Sequence, residues 1–253
     1  PEALVFQSTS AVTALLDDDC TEYDCFSIFF SSDMVKKIRM ETNRYAATRI
    51  AAMQRQGKLK EKSMWHRWTT VKLSDMYKFF AIVLHMCVVK LPDINDYWST
   101  DIFSATRFAR KLLSRDRFKG IMKMLHLNDN ANYVRRGENG YDPIYKIRPF
   151  FDFFIEKCHN SFTPYANLTV DEGICTFRGR VGFRVYMKHK PNKYGIKLYI
   201  LCDGAAGYVL NCDVYTGAAG NKDNSIQGIF ERLCNNYFGK GHCIYMDRFY
   251  TSP

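Results

Sequence analysis

Nine cysteines are present but no C-x-x-C pair, and their odd number and scattered spacing suit neither a disulfide framework nor a cysteine-rich zinc site. Several, such as Cys87 and Cys202, sit inside apolar runs, which predicts reduced, buried thiols in an intracellular protein. No signal-peptide pattern is read. The longest apolar run, Phe79–Val89, is too short to cross a membrane and contains His85, which is read as a satisfied core histidine. Internal repeats and low-complexity tracts are absent. Asp17-Asp18-Asp19 has no EF-hand spacing after it and reads as a solvated linker. Acidic residues are also missing between Glu172 and Lys197, a stretch that is otherwise dense in arginine and lysine.

What is present is core material and positive charge. The chain has 253 residues, 47% hydrophobic and 15% aromatic, enough for one large domain or two smaller ones. A net charge of +10 points to a polyanionic partner, nucleic acid before an acidic membrane surface. The abrupt start and the last residues, Thr251-Ser252-Pro253, read as those of a piece of a longer chain.

Residues 1–28 show little periodicity and are expected to be irregular or linker-like. A helical region, 29–163, follows. Ser32 is a plausible cap for a helix with Val35, Ile38, Thr42 and Tyr45 on one side. Ser74 is expected to cap an apolar helix that is buried nearly all round, after Trp65 and Trp68, which are expected to pack. Phe103 and Phe108 are expected to dock back on the core. Ser114 opens a helix with Phe118, Ile121, Met122 and Leu125 inward, and Pro143 suits the first turn of another. From residue 164 the pattern becomes β-like: Leu168–Phe177, Phe183–Met187, Tyr194–Cys202 and Tyr208–Tyr215, then a helix over Ser225–Asn236 and a short strand ending at Asp247.

The stretch Asn167–Lys197 concentrates the chemistry. An apolar strand runs into Asp171 and Glu172, and a basic, aromatic-interleaved segment follows. Carboxylates at a strand end suit a divalent metal, and the basic run suits a polyphosphate. A β-hairpin with a solvated basic face fits the same residues. Element order adds a partner: three meander strands, a helix and a fourth strand make the first half of a ribonuclease H-like core, in which strands one and four are neighbours. Asp171 and Asp247 would then face each other. Glu172, on the opposite strand face, is expected to be structural, and Asp203 and Asp213 are read as turn and fold residues.

The segments LTVDE (168–172), FRGRVGFRVYMKHKPNKYGIK (177–197) and MDRFYTSP (246–253) resemble the piggyBac-type DNA transposases and their domesticated relatives, and WTTVKLSDMYKFFAIVLHM (68–86) and LLSRDRFKGIMKMLHLND (112–129) agree in the same order. The resemblance implies an α+β architecture: a helical N-terminal region for dimerisation and DNA binding, then the truncated ribonuclease H-like core of a DDE enzyme over 164–253. It implies metal-dependent strand cleavage and transfer at transposon ends, at TTAA targets. The two-metal site would take Mg2+ or Mn2+, with Asp171 and Asp247 as catalytic carboxylates and metal ligands. The family's third Asp and its zinc module lie further along than Pro253. Arg178, Arg180, Arg184, Lys188, Lys190 and Lys193 are the implied DNA-backbone contacts. Expected partners are double-stranded DNA and a second copy of the chain, with no membrane, in the nucleus. Arg248 stands where many members carry Asn. A domesticated DNA-binding protein without catalysis fits the same residues, and a helical protein-binding module accounts for the first half alone.

Overall fold

A computed structural model describes residues 5–14, 16–101, 106–188, 193–220 and 222–251. They form two compact units. Residues 30–133 and 146–149 make a helical one, and residues 1–29, 134–145 and 150–253 make one built on a sheet.

The chain starts with a two-residue strand, β1 (Ala11–Val12), and a helix, α1 (Glu22–Phe29), that the sequence reading does not place. Its start is a reciprocal cap: the Thr21 N–H donates to Asp24 Oδ2 at 2.8 Å and the Asp24 N–H donates to Thr21 Oγ1 at 3.3 Å.

In the helical unit, α2 (Ser32–Arg55) is capped one residue earlier than expected, by Ser31, whose Oγ accepts from the Met34 N–H at 3.3 Å. Val35, Ile38, Thr42 and Ala46 form its buried stripe. Helix α3 (Leu73–Val88) starts before Ser74, because the Asp75 carboxylate reaches back to the Lys72 N–H at 3.1 Å. It buries Met76, Phe79 and Ile82 only. Leu84, Cys87 and Val88 are exposed, so the expectation of all-round burial is corrected to a one-sided stripe. His85 is half-buried against the Phe108 ring, 4.7 Å away, and its Nε2 has no hydrogen-bond partner among the described residues. Phe103 lies outside the described residues. A short helix, α4 (Arg107–Leu112), precedes α5 (Arg115–Met124), which Ser114 does cap. Phe118 of α5 is fully buried, its ring 5.0 Å from those of Phe79 and Trp98. Trp65 and Trp68 do pack edge to face, 5.9 Å apart.

Helix α6 (Arg148–Asn160) begins five residues beyond Pro143, and Pro149 is the proline in its first turn, where a missing N–H costs nothing. β2 (Phe162–Thr163) pairs with β1. The main sheet comprises β3 (Asn167–Thr176), β4 (Val185–Tyr186), β5 (Tyr194–Asp203), β6 (Val209–Val214) and β7 (Cys243–Met246), in the order β4-β5-β3-β7 with β6 also paired to β5. All pairings are antiparallel except β3 with β7, which is parallel. The connection from β6 to β7 carries α7 (Ile226–Cys234), and a final turn, α8 (Arg248–Thr251), follows β7. Ser225 caps α7 through its Oγ, which accepts from the Gly228 N–H at 3.1 Å. That registers Ile229 and Leu233 against Leu168, Val170, Tyr199 and Leu201 on one face of the sheet.

Candidate metal and nucleic-acid site

Along β3 the side chains alternate. Leu168 and Val170 are buried, whereas Asn167 and Asp171 are exposed. β7 alternates in step: Ile244 and Met246 pack on the core, and Cys243 and Tyr245 are exposed. The parallel ladder matches Leu168 with Ile244 and Val170 with Met246. Asp171 and Asp247 are each the next residue after that last pair, and both are exposed. The expectation that the strand carrying Asp171 and the strand leading to Asp247 are neighbours is met, since β3 pairs with β7.

Each carboxylate is oriented by the peptide that follows it. Asp171 Oδ1 accepts from the Glu172 N–H at 2.7 Å, and Asp247 Oδ1 accepts from the Arg248 N–H. Among the described residues neither carboxylate makes an ion pair. Hard carboxylate oxygens facing solvent are the donor set that Mg2+ or Mn2+ takes, with water or phosphate completing the shell. Among the described residues no group of three or more His, Cys, Asp or Glu gathers at one point.

Beneath these carboxylates lies a residue the sequence reading missed. Tyr250, from the turn after β7, is buried in the core cluster with its ring 6.5 Å from that of Tyr199. Burial pushes its phenol well above the usual range, and the charges of Glu172, Tyr199, Asp171 and Asp247 push the same way. The only signal available in sequence is its place three residues after Asp247, and the Tyr250 N–H does donate to Asp247 O at 2.9 Å.

Glu172 points to the core face, opposite Asp171, as expected, and pairs with Lys197 Nζ at 2.6 Å. Asp203 holds the β5–β6 turn: its Oδ1 accepts from the N–H groups of Ala205 and Ala206 at 2.9 and 2.6 Å, and its Oδ2 from that of Tyr165 at 2.7 Å. Asp213 pairs with Lys222 and with Arg232 Nε, the latter at 2.9 Å, fastening α7 to the sheet.

Of the basic residues, Arg178, Arg180, Arg184, Lys188 and Lys193 are exposed, and Lys190 lies outside the described residues. Arg184 is committed locally: its Nη1 donates to the carbonyls of Arg178 and Gly179, both at 3.1 Å, and its guanidinium lies 5.4 Å from the centre of the Tyr194 ring. It thereby shapes the loop that presents Arg178 and Arg180.

The model of the family described as Transposase IS4 matches residues 21–253. PiggyBac transposable element-derived protein 5 of Homo sapiens is 21% identical over 260 residues, covering 98% of this chain and 46% of that protein. PiggyBac transposable element-derived protein 3 of Homo sapiens is 26% identical over 190 residues, covering 71% of this chain and 30% of that protein. The chain thus spans less than half the length of these relatives. A cryo-EM structure of a piggyBac transposase synaptic complex with hairpin DNA has the same fold, with a TM-score of 0.73 at 23% identity over 94% of this chain and 52% of that one. Since the family match runs over all but the first 20 residues, the chain belongs to the Transposase IS4 family, in its piggyBac-type group of transposases and transposase-derived proteins.

Proposed function

We propose that this chain is part of a DNA transposase that cuts and joins strands at transposon ends, with its sheet serving as the first half of a ribonuclease H-like core. The observation that supports this reading is that Asp171 and Asp247 each directly follow the last matched pair of the parallel β3–β7 ladder, that both are exposed, and that neither makes an ion pair among the described residues. A divalent cation held there would neutralise charge on a phosphodiester and activate the attacking water or 3′-hydroxyl. The protein's own work is positioning: β3 and β7 fix the two carboxylates, and the peptides of Glu172 and Arg248 set their orientation. Arg178, Arg180, Lys188 and Lys193 neutralise backbone phosphates without reading sequence, so binding weakens steeply with salt. TTAA targets, action as a homodimer and a nuclear location complete the reading. The solved relative is a piggyBac transposase in a synaptic complex with hairpin DNA, which supports a DNA partner for this chain.

Manganese binding tests the site without requiring turnover. Asp171→Asn and Asp247→Asn are each expected to weaken Mn2+ binding to this chain about tenfold or more, measured by loss of the free-ion EPR signal, with circular dichroism unchanged. Unaltered Mn2+ binding in both variants would reject the assignment. A domesticated DNA-binding protein without catalysis is the second reading, favoured by relatives whose names call them transposable element-derived. The full protein separates the two. Metal-dependent nicking of transposon-end DNA that Asp171→Ala abolishes supports the transposase, and salt-sensitive binding without nicking supports the alternative.

A further inference from the structure

We infer that Tyr186 and Tyr194 form a stacking platform for an unpaired nucleobase, on the same sheet face as Asp171 and Asp247; this rests on the nucleic-acid reading above. The two tyrosines are direct cross-strand partners in the β4–β5 ladder. Their ring centres are 4.8 Å apart at 45°, and they are 55% and 50% exposed. Val185 and Met187 turn the other way, into a hollow shared with Lys197, Tyr199 and Tyr215. The tyrosines are therefore on the outward face of the hairpin.

The ladder fixes which face that is. Ile200 is opposite Asp171, and Ile196 is opposite Cys175. Taking every second residue of β5 back from Ile200 leads through Leu198 and Ile196 to Tyr194, so Tyr194 shares the face of Asp171. Ile200 and Leu198 also approach the bare side of Gly173, which confirms the alternation at that point. Six residues of strand separate the platform from the carboxylates, roughly 20 Å.

The surroundings suit a nucleotide. Arg184 is held by two carbonyls, with its guanidinium against Tyr194, and it supplies a fixed positive charge beside the ring. Exposed Lys188 and Lys193 flank the same hairpin and can neutralise the adjoining phosphates. Bases within a duplex stack on each other and show only their edges in the grooves. An exposed tyrosine face therefore selects a base that has left the stack, whatever its identity. A cross-strand aromatic pair also staples a hairpin, and the staple role gives a different experimental result.

The test uses this chain and two fluorescent DNAs: a short paired duplex, and the same duplex with a single-stranded tail containing 2-aminopurine. The wild type should prefer the tailed DNA and change the 2-aminopurine fluorescence. Tyr186→Leu and Tyr194→Leu keep apolar packing but remove the π face. They should weaken tailed binding about tenfold, abolish the fluorescence change and leave paired-duplex binding within about twofold. Tyr186→Phe and Tyr194→Phe should behave as wild type. Equal weakening toward both DNAs by the leucine variants would assign the pair to hairpin stapling and overturn the platform. Absence of any tail preference in the wild type would also overturn it while leaving the DNA reading intact. A wild-type chain that binds neither DNA at low salt overturns both.

Discussion

Glu172 and Lys197 pair at 2.6 Å on the core side of the sheet, directly behind the face that carries Asp171, and both side chains are only about 15% exposed. Lys197 Nζ also lies 4.8 and 6.0 Å from the ring centres of Tyr199 and Tyr215. Its charge is thus housed by one carboxylate and two aromatic faces. Glu172→Gln removes the countercharge but leaves the ammonium where it is, and should cost about 1–3 kcal/mol in urea unfolding. Adding Lys197→Met should recover part of that loss, because the double variant no longer holds a charge in the core. A double variant that is as unstable as the sum of the two singles would show that the pair is not coupled.

Two glycines of the β3–β5 pair predict opposite sensitivities. A Cβ at Gly195 would sit 2.5 Å from the backbone O of Cys175, which is fixed by the ladder. A Cβ at Gly173 would sit 2.7 Å from Ile200 Cδ1, the far end of a side chain that can rotate. Gly195→Ala should therefore cost about 1–3 kcal/mol, the usual range for overpacking. Gly173→Ala should be tolerated within about 1 kcal/mol. Denaturant midpoints for the two variants decide the matter, and equal losses would contradict it.

All nine cysteines are free thiols, but the expectation that they are buried is only partly met. Cys20, Cys25, Cys87, Cys175 and Cys243 are exposed, whereas Cys158 and Cys234 are buried. Burial pushes the thiols of Cys158 and Cys234 up to about 11 and about 12, and that of Cys212 to about 12 with a further push from Asp213, Cys158 and Cys202 and opposition from Lys222. Thiolate is the reactive form, so access and acidity act together on these residues. Titration with a chromogenic disulfide at neutral pH should show the exposed thiols reacting first, and Cys158, Cys212 and Cys234 only when denaturant is added. Mass mapping that found Cys234 among the early products would contradict the burial described.

Much of the sheet was legible because its cues are local. β3, β5, β6 and β7 each fall within a residue or so of an apolar, alternating run, and the pairing of β3 with β7 followed from element order, because a crossover between parallel strands sets which strands lie side by side. Other features depend on distant parts of the chain. Nothing in residues 248–251 shows that Tyr250 tucks under the site, since that depends on a single turn folding back onto Tyr199. The Glu172–Lys197 contact spans a hairpin whose exact register is not encoded in either residue. Leu84 and Val88 look like core residues but are exposed, because α3 packs along one stripe only. Helix α1 is short, and its cap of Thr21 with Asp24 is a weak signal beside the acidic run before it. Pro143 and Pro149 are equally good helix openers, and the chain uses the second.

In the helical unit, Asp75 joins two helices and should give the fold an acid-sensitive contact. Burial works to raise its carboxyl, but the hydrogen bond from Arg117, the Lys72 N–H and the charges of Arg117 and Lys78 outweigh burial and hold it below the ordinary carboxylate value. Arg117 Nη2 donates to Asp75 Oδ2 at 2.8 Å, and the same guanidinium also donates to the carbonyls of Thr69 and Thr70 at 2.8 and 3.1 Å. A carboxyl whose pKa is lower when folded binds its proton less readily in the native state than in the unfolded one. The contact therefore contributes fully above the unfolded pKa, near ~3.9, and its contribution is lost as pH falls through the folded value. Asp75→Asn should be less stable than wild type by a constant margin above about pH 5, and that margin should shrink below about pH 4 as wild-type Asp75 becomes protonated. Urea midpoints measured across this range for both proteins give the margin directly. A margin that stays constant down to about pH 2 would mean that the Asp75 charge is not what Arg117 recognises, and the loss would belong to the shape of the side chain instead.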